Sequence, residues 1–192
     1  LMNFKKIIFA NRSYTPIPIA IAMIFFSSFI YPFYLGGAIL IFFGETIRFN
    51  AVRYAGGATR TLKVGAPSLC TSGPYAFTRN PLYLGNMIIY LGFVLFSGGA
   101  YMFELLLFVF FYFSFQYFMI INLEEKTLYK KFENSYSDYT KNVPRLIPRL
   151  NRWENEDNRK PMKLIKIFKT EKRSLQNIFL IISLIIIKNF YV

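Results

Sequence analysis

A chain of 192 residues that is 54% hydrophobic and 20% aromatic is too apolar for an ordinary soluble domain, and its apolar residues come in long runs. A net charge of +13 would suit nucleic acid, but Lys and Arg stand between and after the apolar runs with no recognition module beside them, which excludes nucleic acid in favour of a membrane. With one cysteine and no histidine, the chain has no internal disulfide and lacks the commonest general base and zinc ligand, so no metal site is expected.

The first apolar run, 17–33, approaches the roughly 20 residues a membrane helix needs. Lys5, Lys6 and Arg12 precede it, and no small-residue cleavage site follows, so it reads as an anchor rather than a signal peptide. A short hairpin leads to a second span over 34–49. Near its end Glu45 and Arg48 lie three apart on one face, spaced to pair, with snorkelling of Arg48 to the interface as the alternative. Residues 50–80 form a loop holding Arg53, Arg60, Lys63 and Arg79 and no acid. Pro81 suits the first turn of a third span, 81–97, and Ser97-Gly98-Gly99-Ala100 reads as a tight turn. The fourth span, 101–121, is the clearest.

Beyond it, 123–174 is strongly charged. Leu128, Phe132, Tyr136 and Tyr139 share one face of a helix predicted over 123–139, which Val143-Pro144 and Pro148 end. Residues 162–172 alternate Lys with Leu, Ile and Phe in the manner of a surface helix, and 175–187 is apolar but short for a fifth span. The expected fold is therefore an all-α integral membrane protein with four to five transmembrane helices and a cytoplasmic helical C-terminal region. Its parts are an N-terminal transmembrane hairpin (1–49), a core (50–150) and a basic tail (151–192). The basic loops place the N-terminus, 50–80 and 123–174 in the cytoplasm, and the uncharged turns near Tyr34 and Gly98 on the other side.

Two polar groupings then fall on one face. One is Gly73-Pro74-Tyr75-Ala76-Phe77-Thr78-Arg79-Asn80-Pro81-Leu82-Tyr83, at the start of span three; the other is Glu124-Glu125, at the end of span four. Singly, each residue has a plainer role. Arg79 suits a snorkelling anchor, Asn80 a helix cap, Tyr75 and Tyr83 an interfacial belt, and the two acids a helix start. Their joint position at the mouth of a membrane hairpin points instead to a ligand site, because charge and Pro-freed backbone persist near lipid where they line a cavity.

The same residues carry a family resemblance. Arg79-Asn80-Pro81-Leu82-Tyr83, a hydrophobic span and Glu124-Glu125 resemble the signature Arg-His-Pro-x-Tyr, hydrophobic, Glu-Glu of the isoprenylcysteine carboxyl methyltransferases and related membrane phospholipid methyltransferases. Leu69 to Tyr75 is similar to that family's lead-in, and Val143-Pro144-Arg145 to its close; the likeness runs over about 44–150. It implies S-adenosyl-L-methionine as cofactor in a cytoplasm-facing pocket and a hydrophobic or lipid-like methyl acceptor reached from the bilayer. On the matching positions, Pro67, Ser68, Leu69, Cys70, Tyr75, Asn80, Pro81, Leu82 and Tyr83 line the cofactor and Glu124 meets its amino group. Arg79, Glu125 and Arg145 are the catalytic candidates. Asn80 stands where the family has His, and Ile120 where the prenyl-cysteine enzymes place a substrate-contacting Arg.

Methyl transfer from a sulfonium is an in-line displacement governed by positioning and electrostatics, so a chain without His can perform it. A carboxylate acceptor needs no base. An amine must first lose a proton, with Glu125 or Tyr83 as candidate acceptors. Two other classes compete: a sterol-reductase-like membrane oxidoreductase, for which the chain is short, and a non-enzymatic membrane adaptor.

Overall fold

A computed structural model of the chain describes residues 2–57, 64–154 and 157–191; Arg60 and Lys63 lie outside the described residues. The elements in order are α1 (Met2–Asn11), α2 (Pro16–Phe25), α3 (Phe33–Ala55), a 3-10 turn at Gly73–Ala76, α4 (Pro81–Ser97), α5 (Met102–Asn142) and α6 (Leu164–Tyr191). Among the described residues there is no strand, only an isolated bridge between Ser28 and Gly98. Helices α3, α5 and α6 are each long and apolar enough to cross a membrane, and α1 with α2, bent by 47° at a short break, makes a fourth candidate. Helix α4 is apolar but has 17 residues, about 25 Å of helix at 1.5 Å per residue.

The pair α3 and α4 is the densest part of the bundle. The helices run antiparallel and touch backbone to backbone at glycines spaced seven apart, Gly37 and Gly44 on one and Gly85 and Gly92 on the other. A Cβ on Gly37 would lie 2.3 Å from the Phe96 nitrogen, and one on Gly85 would lie 2.8 Å from the Gly44 oxygen. Small residues allow such approach where lipid gives no hydrophobic drive to pack. Helix α5 closes on α4, with Phe113 stacked on Tyr90 at 4.0 Å. Gly98 and Gly99, with φ of 62° and 88°, make the turn between α4 and α5.

Several predicted boundaries move. Residues 17–33 are not one helix. Pro16 starts α2, which ends at Phe25, because Ser27 to Phe29 spend their backbone on other elements. The Ser28 nitrogen donates to the Ser97 oxygen at 2.8 Å, the Phe29 nitrogen to Asn189 Oδ1 at 2.8 Å, and Lys188 Nζ to the Ser27 oxygen. Lys5 and Lys6 thus lie on a helix of their own. Helix α3 runs on to Ala55. The surface helix and short apolar run predicted after residue 162 are one helix, α6. The predicted break between span four and the charged helix is also absent. Helix α5 continues through residue 123 and bends instead at Glu133, whose φ of 37° and ψ of −107° are non-helical.

Helix α6 joins the bundle through charge. Arg48 on α3 is 5% exposed; its guanidinium donates to Glu45 Oε2 at 2.8 Å, Glu171 Oε2 at 2.6 Å and Ser174 Oγ at 2.6 Å. Of the two readings of Glu45 and Arg48 the structure selects pairing, and it adds a fully buried partner, Glu171, from the far end of the chain.

Candidate functional site

The termini of α4 and α5 meet the segment 64–80 and the tail on one face of the bundle, opposite the Ser28–Gly98 bridge. Arg79 is the centre of this assembly. Its Nε and Nη2 donate to Glu125 Oε1 at 3.0 and 2.9 Å, and its Nη1 to the Val143 and Thr140 oxygens at 2.6 and 3.3 Å. It therefore binds α5 on both sides of the Glu133 bend and meets the carbonyls at the helix C-terminus, where a cation is favoured. A non-Gly residue at positive φ costs on the order of 1–3 kcal/mol, and this double grip holds the bend in place. Arg145 Nη2 donates to the other Glu125 oxygen at 2.5 Å. The three predicted catalytic residues are thus one interlocked cluster, and the reading of Arg79 as a snorkelling anchor does not describe it.

Asn80 occupies the N-cap position of α4 without capping it; its Nδ2 donates to the Arg145 oxygen at 3.0 Å. Thr78 donates its hydroxyl to the Arg145 and Leu146 oxygens at 3.2 and 3.1 Å. The backbone nitrogens of Arg79 and Arg149 donate to the Pro144 and Phe77 oxygens. Residues 77–80 and 144–149 are therefore laced together, which draws the end of α5 over the start of α4.

Around this lock lie the predicted cofactor residues. Pro81 is buried at the first position of α4, and Leu82 is half-buried beside it. Tyr83 packs against Tyr117 with ring centres 4.9 Å apart, and it lies close enough to Glu124 for the two to interact electrostatically. The Tyr75 carbonyl accepts from the Tyr139 hydroxyl at 2.7 Å. Burial, then the neighbouring Cys70 and the charge of Glu124, push the Tyr75 phenol well above its ordinary value. Cys70 is buried, Leu69 half-buried, and Pro67 and Ser68 are exposed. Leu69 packs with Leu128, Phe132, Tyr136, Tyr139 and Val143, so the face predicted on the charged helix forms its own small core. Ile120 is fully buried in the main core.

Sequence reasoning missed the tail. Asp157 accepts from the Thr71 nitrogen at 2.9 Å, and Arg159 donates to Ser68 Oγ and the Leu69 oxygen at 3.1 and 2.8 Å. Burial raises the Asp157 carboxyl, but the N–H it accepts from Thr71 and the charge of Arg159 outweigh it and hold the group below its ordinary value. Trp153 stacks on Tyr139 at 5.6 Å. Arg12, counted only as a flanking charge, acts electrostatically on Glu124. No motif marks this part of the tail, so only the folded chain reveals that Asp157 and Arg159 strap the 67–72 segment.

Two cavities open on this face, and of the predicted cofactor residues only Pro81 lines either of them. Glu124, Tyr75, Tyr83 and Leu69 line neither cavity; together they offer a carboxylate among aromatic and apolar side chains, the chemistry an ammonium-bearing ligand needs. Among the described residues no group of His, Cys, Asp and Glu could hold a metal ion. In comparisons with known proteins, residues 32–135 match the model of a family described as phospholipid methyltransferase, a stretch that takes in α3, α4 and α5 up to the Glu133 bend. No curated protein and no solved structure matches the chain.

Proposed function

We infer, for a chain that belongs to the phospholipid methyltransferase family, that it transfers a methyl group from S-adenosyl-L-methionine to a membrane phospholipid at the cytoplasmic face. The observation that carries this reading is the convergence of Tyr75, Tyr83 and Glu124 beside the Arg79–Glu125–Arg145 lock. The bound cofactor supplies a methyl group on a positively charged sulfur. Glu124 holds its ammonium, Tyr75, Leu69 and Cys70 wall it, and 67–72 is kept in place by Asp157 and Arg159. The chain's work is positioning and exclusion of water. An amine acceptor must lose a proton before it attacks. Both Glu125 oxygens already receive guanidinium N–H groups, and a neutral Tyr83 phenol cannot take up a proton by itself, so that proton would go to the Glu124 carboxylate.

A prenyl-cysteine acceptor is disfavoured. Its carboxylate needs a fixed cation, yet Ile120 is apolar and buried, and Arg79 and Arg145 are both committed to Glu125.

Two measurements test this reading. Losing one charge-assisted contact costs about 1.5–3 kcal/mol, so Glu124→Gln should weaken S-adenosyl-L-methionine roughly ten- to a hundred-fold in calorimetric titration. Unchanged affinity in the folded variant refutes the assignment. In a labelled-methyl assay, label should enter a total membrane lipid extract rather than a farnesyl-cysteine analogue; the reverse pattern overturns the acceptor.

A further inference from the structure

The two cavities differ in character and share a wall. The first, about 320 Å³, is polar and lies under the tail, with Arg152, Asp157 and Arg159 around it. The second, about 400 Å³, is mostly apolar and runs between α3 and α4, with Ile47, Leu84, Pro74 and Pro148 around it. Tyr54, Gly73 and Phe77 line both, so one opens beside the other. Each volume is within the usual range for small-ligand sites, roughly 300–1,000 Å³.

The charges favour an anion. Arg152 and Arg159 face the polar cavity against one acid, Asp157, which already accepts the Thr71 N–H and lies 3.7 Å from Arg159. Arg152 is exposed and makes no ion pair among the described residues, so its guanidinium fork is available to oxygen acceptors. Such forks match phosphate geometry. The apolar cavity opens past Thr46, which is exposed beside the exposed Phe42 and Phe43 on the flank of α3 that a bilayer would cover.

We propose that the two cavities form a single phospholipid seat, with the phosphodiester against Arg152 and Arg159 and one acyl chain in the groove between α3 and α4. A lone phosphate would leave the groove empty, and a neutral diacylglycerol would leave the arginines unmatched. Gly73 and Pro74 lie in this wall directly before Tyr75. A lipid here therefore borders the segment assigned to the cofactor, and only that last relation rests on the methyltransferase reading.

The test uses the full chain in detergent without any methyl donor. Dioctanoyl-phosphatidylglycerol, dioctanoylglycerol and glycerol 3-phosphate are titrated, and the emission of Trp153, the chain's single tryptophan and neighbour of Arg152, is followed. The phospholipid should bind, and the two fragments should bind at least about tenfold more weakly, as each lacks one half of the contact. Arg152→Gln should weaken the phospholipid about tenfold and leave dioctanoylglycerol unchanged. Leu84→Trp should weaken the phospholipid by filling the groove. Glu124→Gln should leave phospholipid binding intact, which separates this seat from the cofactor assignment. Equal binding of dioctanoylglycerol removes the role of charge, equal binding of glycerol 3-phosphate removes the groove, and indifference to both Arg152→Gln and Leu84→Trp removes the seat.

Discussion

Cys70 shows how closely the 67–72 segment is held under the tail. Burial is the main cause that pushes its thiol from an ordinary 9.0 to about 11, with Arg159 pulling the other way. The folded chain binds this proton more tightly than the unfolded chain, so the stability it adds is full below pH 9 and is lost as the pH rises through about 11. The thiol should therefore resist alkylation at neutral pH in the folded protein, and its rate should climb only in strongly alkaline buffer, while urea-unfolded chain reacts readily near pH 9. Rapid labelling of folded protein at pH 7 would show that the strap does not cover it. Arg79 teaches a different lesson at this scale. Its neighbours Asn80 and Pro81 announced it in sequence, but its partners Glu125, Thr140 and Val143 are 46, 61 and 64 residues away, and only the fold selects among an anchor, a substrate clamp and a lock.

Among the elements, α3 and α4 depend on adjacent residues in unequal ways. A Cβ on Gly37 would strike the backbone of Phe96, whereas a Cβ on Gly36 meets nothing within 4 Å. Overpacking of this kind costs about 1–3 kcal/mol. Gly37→Ala should lower the thermal midpoint of the detergent-solubilised protein by several degrees, with Gly36→Ala near wild type. Similar midpoints for the two would mean the helices do not pack face to face at these glycines. Helix boundaries were legible where a residue carries its own signal: Pro81 opens α4, and Gly98-Gly99 closes it. They were illegible where the cause is distant. Nothing near Glu133 signals a bend, because the grip that holds it comes from Arg79. The charges of 162–172 read as a surface stretch because the single acid there, Glu171, has its partner on α3.

For the whole molecule, the bundle puts α2–α3, α4–α5 and the end of α6 on one side, and the lock, the strap and Arg12 on the other. This agrees with the alternation read from the basic loops, and it leaves exposed positions on each side as probes of sidedness. Tyr101 and Ser135 are exposed on opposite sides. In intact cells an impermeant thiol reagent should label Tyr101→Cys and spare Ser135→Cys. Labelling of Ser135→Cys alone would invert the orientation.

The Arg48 network also sets an order of events during synthesis. A ribosome delivers α3 well before residue 171, so the arginine enters the membrane while Glu171 does not yet exist. A lone cation at that depth is costly to insert, and removing one partner of a buried pair costs about 3–5 kcal/mol. Glu45, one turn away on the same helix, is the counter-ion that travels with it. The nascent chain thus carries a provisional pair across the threshold, and the last helix, on arrival, converts it into a permanent triad.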